Sequence, residues 1–443
     1  MNKAISKSGV SPWKWVPTLY FAQGLPYVVV MTIAVIMFKR MGMSNTDIAL
    51  YTSGLNLPWV IKPLWSPLVD LLKTKRWWIV VMQIVIGGGL AGIALTVPGP
   101  WAFRYCLAFM WLLAFSSATH DIAADGFYML ELDEKKQAYF VGIRNTFYRF
   151  AVIFGQGILV MIAGWLEEHY STKIPETEAI PRAWSITFYI LTALFTILFI
   201  YHHLFLPRPK RDSATLNSPQ ASISTVVQEF LLTFLAFFQK KHICKALIFI
   251  LLYRFAEAQL VKITSPFLLD DIESGGLALS TTEVGFIYGT IGVIALTVGG
   301  IFGGIAIARK GLRSYLWTMT FALNLPNIVY LYLAFARPEN ISLISGCVAL
   351  EQFGYGFGFT SLTYFMMLFS HGKHQTAHYA LCTGFMALGL MLPGMASGWI
   401  EEAIGYRYFF VWIMLCTLPS FWATGLIRTI LPANSDVQVP AKE

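Results

Sequence analysis

The stretch EVGFIYGTIGVIALTVGGIFGGIAI, Glu283–Ile307, carries a charge at its first position and none in the residues that follow. An α-helix rises about 1.5 Å per residue, so roughly 20 apolar residues cross a hydrocarbon core about 30 Å thick. Lipid offers no partner for backbone N–H and C=O groups, and a helix satisfies them within the segment. The stretch therefore reads as a membrane-spanning helix. Eleven further segments read the same way: Trp15–Phe38, Ala49–Val69, Trp77–Val97, Ala102–Tyr128, Tyr139–Trp165, Trp184–Phe205, Ile243–Leu268, Tyr315–Phe335, Ile341–Phe369, Ala377–Ile400 and Tyr406–Leu431. The expected fold is an all-α membrane protein of twelve transmembrane helices.

Bulk composition agrees. The 443 residues are 56% hydrophobic and 13% charged, with a mean hydropathy of +0.60, whereas soluble domains carry roughly 25% charged residues. The net charge of +8 does not indicate nucleic acid, because the basic residues are scattered over helix ends and form no continuous face. Cys106, Cys244, Cys347, Cys382 and Cys416 lie singly in apolar stretches, without metal-ligand or disulfide spacing, and read as small buried hydrophobes. No cofactor or metal is expected. Lys3, Lys7 and Lys14 precede an apolar run too long for a signal peptide, which is read as the first span.

Cytoplasmic loops are enriched in Lys and Arg. Counting alternate loops and both tails places nineteen on one side and seven on the other, so both termini are expected in the cytoplasm. The Ser/Pro-rich polar stretch after Pro207 divides six helices from six. The domain expectation is an N-terminal six-helix bundle over 1–206, a cytoplasmic linker over 207–240, and a C-terminal six-helix bundle with a short tail over 241–443. The halves repeat: Asp70, Lys73 and Arg76 follow helix 2 as Arg309, Lys310 and Arg313 follow helix 8. Parallel repeats about an axis along the membrane normal point to the major facilitator superfamily architecture, in which the solute site lies near the midplane.

A charge at the centre of a spanning helix costs roughly 2.5–3.5 kcal/mol, so such residues imply partners or a wet cavity. Asp121 and Asp125, four apart on helix 4, share a face and suit proton coupling or pairing with Arg144 or Arg149. His120 beside them is a candidate proton relay or a satisfied structural group. Glu257 and Glu351 complete the candidate proton-coupling set; Glu257 and Arg254, three apart, are expected to neutralise each other, and Lys262 to lie near a wet helix end. On helix 5, Arg144, Asn145, Tyr148 and Arg149 offer donors for carboxylates or sugar hydroxyls. Gln23, Tyr27, Lys62 and Trp59 join them as candidate solute contacts, with Tyr20 and Trp65 as further rings on which a sugar could stack. Lys62 stands between Pro58 and Pro63 and could equally satisfy carbonyls that the prolines free. Asp70, Lys73 and Arg76 are a candidate gate latch.

The stretches YFAQGLPY (Tyr20–Tyr27), IKPLWSPLVD (Ile61–Asp70), AFSSATHDIAAD (Ala114–Asp125), LYRFAEA (Leu252–Ala258) and TAHYALCTGFMALG (Thr376–Gly389) resemble the AmpG muropeptide permeases of the major facilitator superfamily. The resemblance implies proton-driven import of anhydro-muropeptides or related amino sugars across a bacterial inner membrane. It also implies that Asp70, Asp121, Asp125 and Arg149 are the intramembrane charged residues of that family, with His120 standing where Gln is common. A symporter working by alternating access is the leading expectation, with a glycopeptide or sugar, protons and the lipid bilayer as partners and a monomer as the assembly. The alternatives are the same scaffold moving an oligosaccharide or acyl-coenzyme A, or a membrane enzyme or sensor; no nucleotide, metal or nucleophile motif supports the last.

Overall fold

The structure is a computed structural model that describes residues 10–209, 212, 223–372 and 374–431. Helices α1 (Pro12–Arg40), α2 (Asn45–Gly54), α3 (Leu57–Leu72), α4 (Lys75–Thr96), α5 (Ala102–Glu131), α6 (134–171), α7 (Glu176–Phe205), α8 (Ile223–Phe238), α9 (Ile243–Leu252) and α10 (Phe255–Leu269) follow one another. They are followed by α11 (Thr281–Lys310), α12 (Leu312–Ala336), α13 (Ile341–Ser370), α14 (Gln375–Leu415) and α15 (Leu418–Arg428). No strand occurs among the described residues.

Among the described residues, eight helical stretches are by themselves long and apolar enough to span a membrane. The twelve expected spans are recovered once α2–α3 and α9–α10 are read as broken spans, α13 is added, and 375–428 is divided. That last division falls at Gly405, whose φ of 75° interrupts the helical backbone inside α14 at a value glycine adopts without strain. The charge that opens the Glu283 stretch is used locally. Glu283 accepts from the Ser280 backbone N–H at 2.8 Å while its own N–H donates to Ser280 Oγ at 3.2 Å, closing a capping box at the helix start.

The chain divides into two compact units, residues 1–42 with 61–232, and residues 43–60 with 233–443. In the first, α1 packs on α5 and α6, and α4 on α5 and α7, around Trp15, Tyr20, Phe127 and Tyr128. In the second, α10 packs on α14, and α13 on α11 and α12, with Phe249, Tyr253, Met319 and Phe365 in the core. The span pairs 1–5 and 3–4 of the first unit thus recur as 7–11 and 9–10 in the second. Helix α11 reaches α13 backbone to backbone: a Cβ at Gly299 would overlap the Phe353 carbonyl oxygen, and one at Gly356 the Leu296 carbonyl oxygen.

Two local features depart from the sequence reading. The stretch read as linker holds α8, whose Phe237 is buried against Phe369 and Phe385. Of the five cysteines, all free, Cys244 is exposed and Cys347 half-buried, since each lies on a helix face that turns outward.

Candidate functional site

In the first unit, α1, α3, α5 and α6 bring most of the expected residues together. Asp125 on α5 pairs with Arg144 on α6 at 3.4 Å and accepts from the Tyr20 hydroxyl of α1 at 3.1 Å. The Arg144 guanidinium also lies over the Tyr20 and Tyr128 rings, 4.6 and 5.2 Å from their centroids, so cation–π attraction fixes it from a second side. Asp121, one turn earlier, pairs with Lys62 of α3 at 3.6 Å. Lys62 therefore serves a carboxylate across the helix pair and not a proline-freed carbonyl. Asp125 and Arg144 are 36% and 27% exposed, and at such exposure an ion pair contributes only about 0–1 kcal/mol. These partly exposed pairs therefore do little to hold the bundle together.

Arg149 differs from its neighbours. It is half-buried on α6, and among the described residues it makes neither an ion pair nor a hydrogen bond. Asn145, one turn earlier on the same face, is exposed and likewise makes no hydrogen bond. Tyr148 lies within electrostatic reach of Tyr27, Asp121, Arg149 and Asp125. Gly24 permits this gathering, since a Cβ there would lie 3.0 Å from Ala151 Cβ and 3.2 Å from the Tyr148 ring. Gln23, next to it, is buried with Oε1 unpartnered. Among the described residues the cluster thus offers an unpaired guanidinium, an amide and phenols beside two neutralised carboxylates. That set suits a solute with carboxylate and hydroxyl groups.

His120 turns to the helix packing. Its Nε2 lies 3.1 Å from Gln83 Nε2, Gln83 Nε2 lies 2.9 Å from His202 Nδ1, and His202 Nε2 lies 3.0 Å from Thr18 Oγ1. Gln83 and His202 are fully buried, a chain across α5, α4, α7 and α1 that the sequence reading did not single out, although both are polar residues inside apolar runs. Trp65 packs on Phe115 with ring centroids 5.7 Å apart and lines an apolar groove of about 240 Å³ with Leu68, Leu72 and Met82. Among the described residues no charged side chain lines that groove.

The expected latch is partly outside what is described: α3 carries Asp70, but the Asp70 side chain lies outside the described residues. Lys73 stands over the Trp77 ring at 5.9 Å. Arg76 donates to the carbonyls of Leu206 and His203, while the backbone N–H groups of Lys75 and Arg76 donate to Asp212 at 2.7 and 3.0 Å. Asp212 thereby caps the start of α4, where an anion is favoured by the helix dipole.

The second unit holds Glu257, Glu351, Arg254, Lys262 and Trp59. Glu351 of α13 is 1% exposed; its Oε2 accepts from the Tyr330 hydroxyl at 3.1 Å and from Gln352 Nε2 at 2.9 Å, and its Oε1 has no partner. Glu257 of α10 is buried within electrostatic reach of it, with Oε2 also unpartnered. The expected Arg254–Glu257 ion pair does not form among the described residues. Arg254 caps α10 in a non-helical conformation (φ −110°, ψ 24°), so the i, i+3 register is lost. Its guanidinium instead donates to the Tyr355 hydroxyl and lies 4.7 Å from the Phe359 ring centroid. Lys262, expected at a wet helix end, is 4% exposed.

The family model of the Major Facilitator Superfamily matches residues 18–392. The chain belongs to that superfamily. A curated relative, the AmpG 4 transporter of Rickettsia conorii, is 25% identical over 425 residues, covering 93% of this chain and 95% of that protein. The anhydromuropeptide permease of Escherichia coli K12 is 24% identical over 414 residues, covering 90% of this chain and 76% of that one. Solved structures agree on the fold. The nucleoside transporter NupG superimposes with a TM-score of 0.68 at 16% identity over 94% of this chain and 99% of that one. A D-xylose–proton symporter gives 0.69 at 12% identity over 95% and 98%. This superfamily member is a membrane transporter related to the AmpG permeases.

Proposed function

We propose that the protein is a proton-coupled symporter that imports peptidoglycan-derived anhydro-muropeptides or related amino sugars across the bacterial inner membrane by alternating access, with both termini in the cytoplasm. The observation that carries this reading is the polar cluster of the first unit, where among the described residues the Arg149 guanidinium has no partner while Asp121 and Asp125 each face a cation. A solute bearing a carboxylate can pair with Arg149 in two parallel hydrogen bonds. Its hydroxyls and acetamido group match Asn145, Tyr148, Tyr27 and Gln23. Relatives named as AmpG transporters and an anhydromuropeptide permease support the solute class.

For the proton we infer a site in the second unit. Asp121 and Asp125 have cations beside them, whereas Glu351 is held by two neutral donors with Glu257 near it. A carboxyl with donors but no counter-charge, in a medium that disfavours charge, can bind and release a proton as the conformation changes. Asp121, Asp125 and His120 would then tune solute binding.

Proteoliposomes test the proposal. Labelled anhydro-N-acetylglucosaminyl-muramyl tripeptide should accumulate against its gradient when the outside is acidified, and accumulation should collapse with a protonophore. Equilibration without accumulation would remove the proton coupling, and no uptake of the glycopeptide would remove the solute assignment.

A further inference from the structure

The second unit contains an ammonium without a counter-charge. Lys262 of α10 is 4% exposed, and its Nζ donates to Thr52 Oγ1 of α2 at 3.2 Å. The Thr52 hydroxyl spends its own proton on the Ile48 carbonyl at 2.7 Å, so toward Lys262 it can only accept. Among the described residues Lys262 has no other hydrogen-bond partner and no carboxylate within ion-pair distance. An ammonium has three donors, which leaves two unused.

A second orphan stands beside it. Ser53, next to Thr52 on α2, is fully buried with its Oγ unpartnered. That oxygen lies 2.7 Å from the position a Cβ would take at Gly394 of α14, and the same position is 3.1 Å from the Ala258 carbonyl, one helical turn before Lys262. Thr52, the partner of Lys262, and the orphaned Ser53 are thus consecutive residues of α2, and among the described residues no carboxylate lies within ion-pair distance of the Lys262 ammonium. Two acids on the helices around them, Glu401 and Asp270, are engaged elsewhere, and Glu257 makes no ion pair with Lys262 among the described residues. Asn45 Nδ2 donates to Glu401 at 2.6 Å, the Tyr406 hydroxyl donates to Asp270, and Glu257 sits toward Arg254 and Glu351. A buried cation in such a place is costly unless an anion completes it, and a hydrophobic residue of equal volume would usually be the more stable choice.

We propose that Lys262, Thr52 and Ser53 form a carboxylate-binding site, filled by an acid group of the transported solute once α2 moves off α10 and α14. Helix α2 is suited to leave, because small residues and polar side chains hold it. Beyond the Asn45–Glu401 bond, Thr46 binds Glu402 through its N–H at 3.0 Å and its hydroxyl at 2.6 Å. Polar contacts of this kind are replaced by water at modest cost. Thr52 and Lys262 would let go of each other only in exchange for the solute's carboxylate.

The inference rests on the glycopeptide reading above, and the test separates the two. Melting temperatures of the purified full chain in detergent are followed while titrating the anhydro-muramyl tripeptide free acid, or the same compound with its carboxyl groups converted to carboxamides. Wild type should bind the free acid about tenfold or more tighter than the carboxamide, as expected for hydrogen bonds to a charged group. Lys262→Met should lose at least about threefold of that preference, keeping only the part that Arg149 supplies, while melting, without ligand, at or above the wild-type temperature. Lys262→Arg should keep part of the preference, and Ser53→Ala should lower it even if the Met variant does not fold. Equal binding of the two compounds by wild type overturns the carboxylate contacts at both Lys262 and Arg149, whereas a full preference retained in Lys262→Met and Ser53→Ala overturns the Lys262 site alone and leaves the solute reading standing. No response of wild type to either compound overturns both.

Discussion

Replacing Glu351 separates a structural role from proton coupling, because the two substitutions Glu351→Gln and Glu351→Leu leave different groups unsatisfied. In Glu351→Gln the new carbonyl can occupy the Oε2 position and keep both bonds, from Tyr330 and Gln352. The amide nitrogen then stands where Oε1 has no partner, toward the equally orphaned Glu257 carboxyl. The cost should stay below about 1 kcal/mol, one hydrogen bond's net worth. Glu351→Leu instead strands the Tyr330 hydroxyl and the Gln352 amide in a buried site, at roughly 1–3 kcal/mol each. At about 2–4 °C per kcal/mol for a unit of some 200 residues, the Leu variant should melt roughly 4–24 °C below wild type and the Gln variant within about 4 °C of it. Function should divide the other way. Both variants lose acid-driven accumulation, while the well-folded Gln variant still exchanges labelled for unlabelled solute across proteoliposome membranes, because exchange needs no net proton release. A Gln variant as unstable as the Leu variant would mean that the site requires a charge. A Gln variant that accumulates solute like wild type would remove Glu351 from coupling.

Two further outcomes follow from the same geometry. Arg149→Ala removes a guanidinium with no partner among the described residues, so melting should change little while glycopeptide affinity falls roughly 10- to 100-fold, the worth of charge-assisted bonds; an unchanged dissociation constant by titration would disprove the contact. Gly356→Ala drives a methyl group into the Leu296 carbonyl and must push α11 from α13, an overpacking cost of about 1–3 kcal/mol that thermal melting should register, whereas Gly304→Ala, which meets nothing within 4 Å, should melt like wild type.

Five of the residues that the sequence singled out by lipid's intolerance of charge gather in the first unit: Asp121, Asp125, Lys62, Arg144 and Arg149 come from three spans into one cluster. The logic was the same for each, since a charge in a spanning helix must meet a partner or water. Their pairing was not legible. Lys62 could have served carbonyls, and Arg149 could have taken either aspartate, because helix spacing gives a residue's face but not which neighbouring helix that face meets. Arg254 and Glu257 show the opposite failure, a local rule defeated by a break in the backbone at the residue that caps α10. Neutral partners escaped altogether: Gln83, His202, Tyr330 and Thr52 differ little from ordinary bundle residues until a titratable group is seen beside them.

By itself the sequence determined the solvent, the number of spans and the two-fold repeat, because these depend on apolar length and period, which are properties of contiguous residues. Tertiary structure alone decided which charges are neutralised and which are left open. Ion pairs and orphaned donors arise between helices far apart in the chain, and their geometry depends on how closely the backbones approach, as where glycines bring α11 against α13 or α2 closes over Lys262.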